Sequence, residues 1–172
     1  FFEAFFATLI AGAVPVPLYP PVRASDLLAY TRRQQGILRN AEARVLLTFA
    51  EAERLAGLMR APVPSLVTIT TAERLSGGPD PAALPVVAPS DAALIQYTSG
   101  STGDPKGVLL SHANLLANIR GIGDALDLQA HDVGVSWLPL YHDMGLIGMW
   151  LGALYFGVPA ALMSPLAFLS RP

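Results

Sequence analysis

Two long stretches without a charged residue constrain this chain more than any other feature. They cover residues 4–22 and 144–170. Hydrophobic residues make up 52% of the chain and charged residues only 14%, against roughly 25% charged in an average soluble domain. Much of the chain must therefore be hidden from water, either in a membrane or in a sheet that is covered on both faces.

The first uncharged stretch does not suit a membrane-spanning helix, because it is dense in proline. Its prolines are Pro15, Pro17, Pro20 and Pro21. Phenylalanine and aliphatic residues recur at helical spacing as far as Ile10, and Gly12 follows as a helix-ending residue. We expect a helix and then an extended strand over residues 13–19.

The second uncharged stretch allows two interpretations. Gly148 and Gly152 have the GxxxG spacing of close helix packing in lipid. Gly157 and Pro159 interrupt the run, however, and residues 158–163 suit a short buried strand. We favour a soluble buried helix followed by a strand, and a membrane helix stays open as the alternative.

Composition excludes several classes of protein. A chain of 172 residues suits one domain with a substantial core, and its low charge excludes disorder. Eleven basic and thirteen acidic residues give a net charge of −2 with no basic run, so we expect no nucleic-acid partner. The chain has no cysteine, which excludes disulfides and cysteine-based zinc sites and is compatible with a cytoplasmic location. Because the chain starts at Phe1 without a secretory leader, we expect an internal piece of a longer protein.

Strand and helix signals alternate along the chain. Proline and glycine are concentrated in residues 76–90, which predicts a surface linker between a first α/β half, 1–75, and a second, 91–172. The predicted helices cover residues 26–40 and 50–60, a stretch starting after Ser111 with the stripe Leu115, Ile119, Ile122 and Leu126, and the segment after Asp143. The predicted strands cover residues 44–49, 66–71, 92–97, 108–110 and 133–138. This alternation predicts an α/β fold with mostly parallel sheets, whose ligands bind beyond the carboxyl ends of strands.

A loop rich in glycine and hydroxyl side chains follows the strand at 92–97. It reads YTSGSTGDPKG from Tyr97, and its hydroxyls, glycines and single ammonium suit the binding of phosphate oxygens. It is not a Walker loop, which needs Gly-Lys followed by Ser or Thr, and the alternative is a flexible linker. Lys106 is also the only lysine in the chain. Its ammonium is a compact charge, unlike the planar guanidinium of arginine.

These motifs resemble those of a known enzyme superfamily. YTSGSTGDPKGV, from Tyr97, is similar to the phosphate-binding signature of the adenylate-forming enzymes. LIAGAVPVPLYPP, from Leu9, and WLPLYHDMGLIG, from Trp137, resemble an earlier and a later motif of the same superfamily. The residue sequences of these two motifs are most similar to those of fatty acyl-AMP ligases. The resemblance covers part of the family's large amino-terminal domain.

The resemblance implies a reaction. A fatty acid carboxylate attacks the α-phosphate of ATP, pyrophosphate leaves, and the acyl group passes from acyl-AMP to the thiol of an acyl carrier protein. The implied phosphate-binding residues are Thr98, Ser99, Gly100, Ser101, Thr102, Gly103 and Lys106. ATP brings about four negative charges and Lys106 offsets one, so Mg²⁺ is implied as well, held in part by Thr98.

The resemblance also assigns a role to the second motif. It implies that His142 borders the acyl and α-phosphate pocket, although a loop histidine satisfied by backbone groups is the alternative. We expect Asp143 to cap the following helix rather than to act in catalysis. Tyr141 is either pocket wall or core, and Tyr97 is expected to pack at the strand end and position the loop. We expect structural or solvated roles for His112 and His131.

Some family motifs do not occur among these residues. The family's magnesium-binding glutamate, ribose-binding aspartate and adenylation lysine fall outside them, so the resemblance implies that these 172 residues alone are inactive. Two alternatives stay open: an acyl-CoA synthetase that uses coenzyme A, and a non-catalytic nucleotide-binding module.

Overall fold

The computed structural model describes residues 1–20, 27–75, 83–98 and 105–170. Its helices are α1 (Phe2–Ile10), α2 (Leu27–Asn40), α3 (Glu53–Gly57), α4 (Ala72–Leu75), α5 (His112–Leu126), α6 (Gly152–Phe156) and α7 (Pro165–Ser170), with a 3₁₀ turn at Ala50–Ala52 and a π-helix at Met144–Leu151. Its strands are β1 (Val45–Thr48), β2 (Thr68–Thr71), β3 (Ala92–Thr98), β4 (Lys106–Ser111), β5 (Gly134–Ser136) and β6 (Ala160–Leu162). The predicted α/β class is confirmed.

The described strands form three two-stranded sheets. β1 pairs with β2 and β5 pairs with β6, both parallel as predicted. β3 and β4 run antiparallel, an exception that the expectation of mostly parallel sheets allows. Seven residues separate the two strands, whereas a parallel crossover needs a dozen or more.

Several predicted elements differ from the observed ones for physical reasons. Residues 13–19 form no strand, because prolines there cannot donate to a ladder, although the Pro15 carbonyl accepts from Ile95 N at 3.1 Å. The helix expected over 50–60 is reduced to the 3₁₀ turn and α3. β6 is exposed, so the expectation that this strand is buried is wrong.

The uncharged run at 144–170 is divided among the π-helix, α6, β6 and α7. Within the described ranges, no helix combines the length and apolar character that a membrane crossing requires.

Two hydrophobic clusters hold the described elements together. The larger one joins α1, β3, α5 and the π-helix through Phe5, Ala93, Leu94, Leu115, Ile119, Leu146, Ile147, Trp150 and Leu151. The smaller one joins α2 to the segment before β2 through Leu38, Met59, Val63 and Leu66. Leu126, the last member of the predicted stripe on α5, is exposed. The division at residues 76–90 stays a prediction, because residues 76–82 lie outside the described ranges.

The packing predicts a difference between two glycines. A Cβ at Gly145 would lie 2.3 Å from the Pro139 carbonyl oxygen, a backbone atom that cannot rotate away, whereas a Cβ at Gly36 in α2 would meet nothing within 4 Å. In urea unfolding of the native polypeptide, we expect Gly145→Ala to lower the free energy of unfolding by about 1–3 kcal/mol. We expect Gly36→Ala to gain about 0.5–1 kcal/mol by lowering backbone entropy in the unfolded state. Equal stability of Gly145→Ala and the wild type would contradict the observed packing.

Candidate functional site

The two described ends of the predicted phosphate loop lie side by side. Thr98 ends β3, Lys106 begins β4, and the two residues are register partners in the antiparallel pair. Both are exposed. Ser99, Gly100, Ser101, Thr102 and Gly103 lie outside the described residues, so their phosphate contacts stay a prediction. The pairing places a hydroxyl and an ammonium at one end of the hairpin.

Helix α2 holds the strand end that carries Thr98. The Tyr97 hydroxyl donates to Asn40 Oδ1 at 2.5 Å, and Arg33 Nη2 donates to the Thr98 carbonyl at 3.4 Å. The Tyr97 ring lies over Gly107 on the paired strand, where a Cβ would come within 3.0 Å of the ring. Burial raises the pKa of the Tyr97 phenol. The position of this side chain at the strand end agrees with its expected packing there.

His142 lies on the loop between β5 and the π-helix. The loop folds back on itself, since His142 N donates to the Pro139 carbonyl at 3.1 Å and Leu146 N donates to the His142 carbonyl at 2.9 Å. The His142 side chain is 64% exposed, and its Nδ1 lies 2.6 Å from Asp143 Oδ1. The backbone of His142 is therefore held while its ring is open to ligands.

Asp143 contacts two groups. Its Oδ1 accepts from Met144 N at 2.7 Å, at the start of the π-helix, which agrees with the expected cap. The same oxygen contacts the His142 ring. The Asp143 carboxylate thus both caps the π-helix and orients the His142 ring. The sequence interpretation did not include its contact with His142.

A pocket of about 290 Å³ joins the two predicted motifs. Thr98 from β3 and Asp143 from the histidine loop both line it. The other polar lining residues are Gln96, Asn114 and Asn118, and the remaining wall is made of Val108, Leu110, Leu115 and Ile147. Lys106 and His142 are not among the lining residues. The pocket therefore has an aliphatic wall and polar groups from both motifs.

The other aromatic and histidine candidates fall outside this pocket. The Tyr141 ring packs at 5.9 Å from that of Tyr19, and it is neither buried nor part of the pocket lining. The backbone N of His112 donates to the Asp91 carbonyl at the start of α5. His131 is highly exposed, which agrees with the expected solvated role.

Within the described ranges, no three histidine or carboxylate side chains are grouped so as to hold a metal ion. This does not exclude a Mg²⁺ site shared with a nucleotide, because Mg²⁺ is usually held by one or two protein ligands together with substrate phosphates. Thr98 is an exposed residue with a hydroxyl group, which fits that kind of partial site.

A family model described as AMP-binding enzyme matches residues 1–172. The chain belongs to this family. It is 32% identical to the medium-chain-fatty-acid–[acyl-carrier-protein] ligase TtuA of Teredinibacter turnerae, covering 100% of this chain and 32% of that protein. It is 38% identical to a putative acyl-CoA synthetase of Caulobacter vibrioides, covering 100% of this chain and 30% of that protein. The chain thus spans about a third of the length of these relatives.

Solved structures of the family share the fold. One, from a study of fatty acyl-adenylate ligases from E. coli and L. pneumophila, superposes with a TM-score of 0.92 at 34% identity. The superposed region covers 100% of this chain and 31% of the chain in that structure. The expected similarity to the amino-terminal part of adenylate-forming enzymes is confirmed.

Besides the pocket residues Asn114 and Asn118, the sequence interpretation missed three residues that hydrogen-bond to the motifs. Arg33 and Asn40 contact β3 from α2, and Gln96 reaches from β3 to the histidine loop. Of the three, Gln96 alone had a signal in the sequence, because it is a polar residue between the apolar strand sequence AALI and Tyr97. The contacts of Arg33 and Asn40 span more than fifty residues, and no local pattern indicates them.

The cap contact at Asp143 generates a prediction about stability. Asparagine can still accept from Met144 N, whereas alanine cannot. In thermal unfolding, we expect Asp143→Asn to have the same free energy of unfolding as the wild type. We expect Asp143→Ala to lower that free energy by about 0.5–2 kcal/mol. If the two variants were equally stable, the bond from Met144 N would contribute nothing measurable.

Proposed function

We propose that the protein activates a fatty acid with ATP, forming acyl-AMP and releasing pyrophosphate, and then transfers the acyl group to an acyl carrier protein. The observation that carries this proposal is that Thr98, at the start of the predicted phosphate loop, and Asp143, on the histidine loop, line the same pocket. Similarity to fatty acid ligases over the whole chain supports the substrate class.

Charge on the phosphates is the main obstacle in this reaction. As a carboxylate oxygen bonds to the α-phosphorus and the bond to pyrophosphate breaks, negative charge accumulates on the leaving group. Lys106, exposed at the start of β4, would attract that leaving pyrophosphate. Bound Mg²⁺ would neutralise further phosphate charge, and Thr98 is the described residue that would help to hold it.

His142 would act on the other side of the reacting phosphorus. In the doubly protonated ring both nitrogens are donors, so Nδ1 can bond Asp143 while Nε2 donates to an α-phosphate or carboxylate oxygen. The aliphatic wall of the pocket would receive the first carbons of the acid. We place the reaction in the cytoplasm, where ATP is available.

The acceptor separates two candidate functions. The residue sequences of the motifs and the similarity to the TtuA ligase support an acyl carrier protein as the acceptor. The similarity to the Caulobacter protein supports coenzyme A, which is the second candidate. A non-catalytic nucleotide-binding module would transfer an acyl group to neither acceptor.

Removal of the Lys106 charge tests the phosphate site. In the native full-length polypeptide, we expect Lys106→Ala to slow ATP–pyrophosphate exchange on the order of 100- to 1000-fold while changing the KM for ATP much less, because the ammonium acts mainly on the leaving group. Arg54→Ala removes an exposed cation from α3, which contributes nothing to the site, and serves as the matched control. Unchanged pyrophosphate release in Lys106→Ala would refute the assignment.

A competition between acceptors tests the transfer step. The wild-type protein is loaded with a radiolabelled medium-chain acid and offered holo acyl carrier protein or coenzyme A at equal concentration. We expect label on the carrier protein, detected by gel electrophoresis and intact mass. Transfer to coenzyme A alone would establish the second candidate, and adenylate formation without transfer to either would leave the acceptor proposal contradicted.

A further inference from the structure

Gln96 is a buried amide between the two motifs of the proposed site. It lies on β3, two residues before Thr98, and only 7% of its surface is exposed. Its Nε2 donates to the Tyr141 carbonyl at 3.0 Å, across 45 residues of sequence. Its Oε1 is buried and has no hydrogen-bond partner among the described residues.

A glutamine in this position is costly for the fold. A buried amide oxygen without a partner loses its hydration and gains nothing in return. The neighbouring strand residues Ala93 and Leu94 are fully buried, so an aliphatic side chain would suit the core better. What the amide adds is the hydrogen bond to Tyr141.

That hydrogen bond fixes the backbone directly before His142. Tyr141 precedes His142, and both lie in the turn that is closed by the bond from His142 N to the Pro139 carbonyl. Gln96 and Thr98 lie two residues apart on β3, so both face the pocket, and both line it. The strand that carries Thr98 therefore also holds the loop that carries His142.

We propose that Gln96 is a positioning residue, whose buried amide holds the Tyr141 carbonyl and so places His142 relative to Thr98. The proposal rests on the proposed function, in which His142 contacts the reacting groups. The role assigned to Gln96 is carried by its contact with the Tyr141 backbone and not by its place in the pocket wall. Its effect on the reaction passes through the histidine, which distinguishes it from a residue that only supports the core.

The variant Gln96→Met tests this role, since methionine keeps the length of the side chain but cannot donate. In the native full-length polypeptide we expect kcat for ATP–pyrophosphate exchange to fall about 10- to 100-fold, as for a displaced catalytic group, with the KM for ATP nearly unchanged. Gln34→Met is the matched control, because Gln34 on α2 is also a fully buried glutamine. Its two amide atoms have no hydrogen-bond partner among the described residues, and it does not line the pocket. We expect this control to keep wild-type kinetics.

A double mutant separates positioning from general support. If Gln96 acts through His142, then Gln96→Met should add little to the loss caused by His142→Ala, whereas independent effects would multiply. Multiplying losses, or full activity of Gln96→Met, would overturn the proposal. If Gln96→Met does not fold, Gln96→Asn gives the same comparison, because its shorter amide cannot reach Tyr141.

Amide hydrogen exchange keeps this test independent of the proposed function. We expect Gln96→Met to speed exchange in peptides covering residues 138–146, even if the wild type activates no acid. Unchanged exchange there would overturn the positioning role. A wild type without any ATP–pyrophosphate exchange would instead contradict the proposed function alone.

Discussion

The antiparallel pairing of β3 with β4 is the contact on which the candidate site depends. Leu94 anchors β3 in the larger core, and the pairing then brings Lys106 opposite Thr98 at the end of the same strand. Because β3 is fixed on the inside by the core and at its end by α2, both ends of the phosphate loop have a defined position. The predicted phosphate loop thus starts and ends on paired strand residues, which suits a site that must bind phosphates in one geometry.

β3 also connects the phosphate loop to the second motif. Its side chains reach in different directions: Tyr97 to Asn40 on α2, and Gln96 to the backbone of Tyr141 on the histidine loop. The histidine loop is held from its other side by the close approach of Gly145 to Pro139. Two motifs that lie about forty residues apart in sequence are thereby attached to a single strand.

The parts of the fold with local signals were predictable from sequence. Ser111 caps α5 through a reciprocal pair of bonds with Asn114, and short-range chemistry of this kind is visible in the residue order. Motif resemblance likewise predicted the family and pointed to Thr98, Lys106 and His142. Prediction was weaker where distant partners decide the outcome. The apolar pattern of 13–19 suggested a strand that its prolines do not allow. The apolar patterns of α5 and of residues 158–163 likewise gave no sign that Leu126 and β6 are exposed. The contact of Asp143 with His142 depends on loop conformation, which no periodicity encodes.

Burial divides the proposed tasks between Lys106 and Gln96. A leaving pyrophosphate moves away from the α-phosphorus, and an ammonium that follows it needs a long side chain with room to move. Lys106 is exposed, and among the described residues it forms no ion pair, so its position meets that need. A histidine that orients a carboxylate must instead stay where the reacting atoms meet. Its ring is exposed, so the constraint has to come from the backbone, and the buried amide of Gln96 is placed to provide it. The oxygen of that amide, which has no partner among the described residues, is then the cost of fixing the proposed catalytic histidine from within the core.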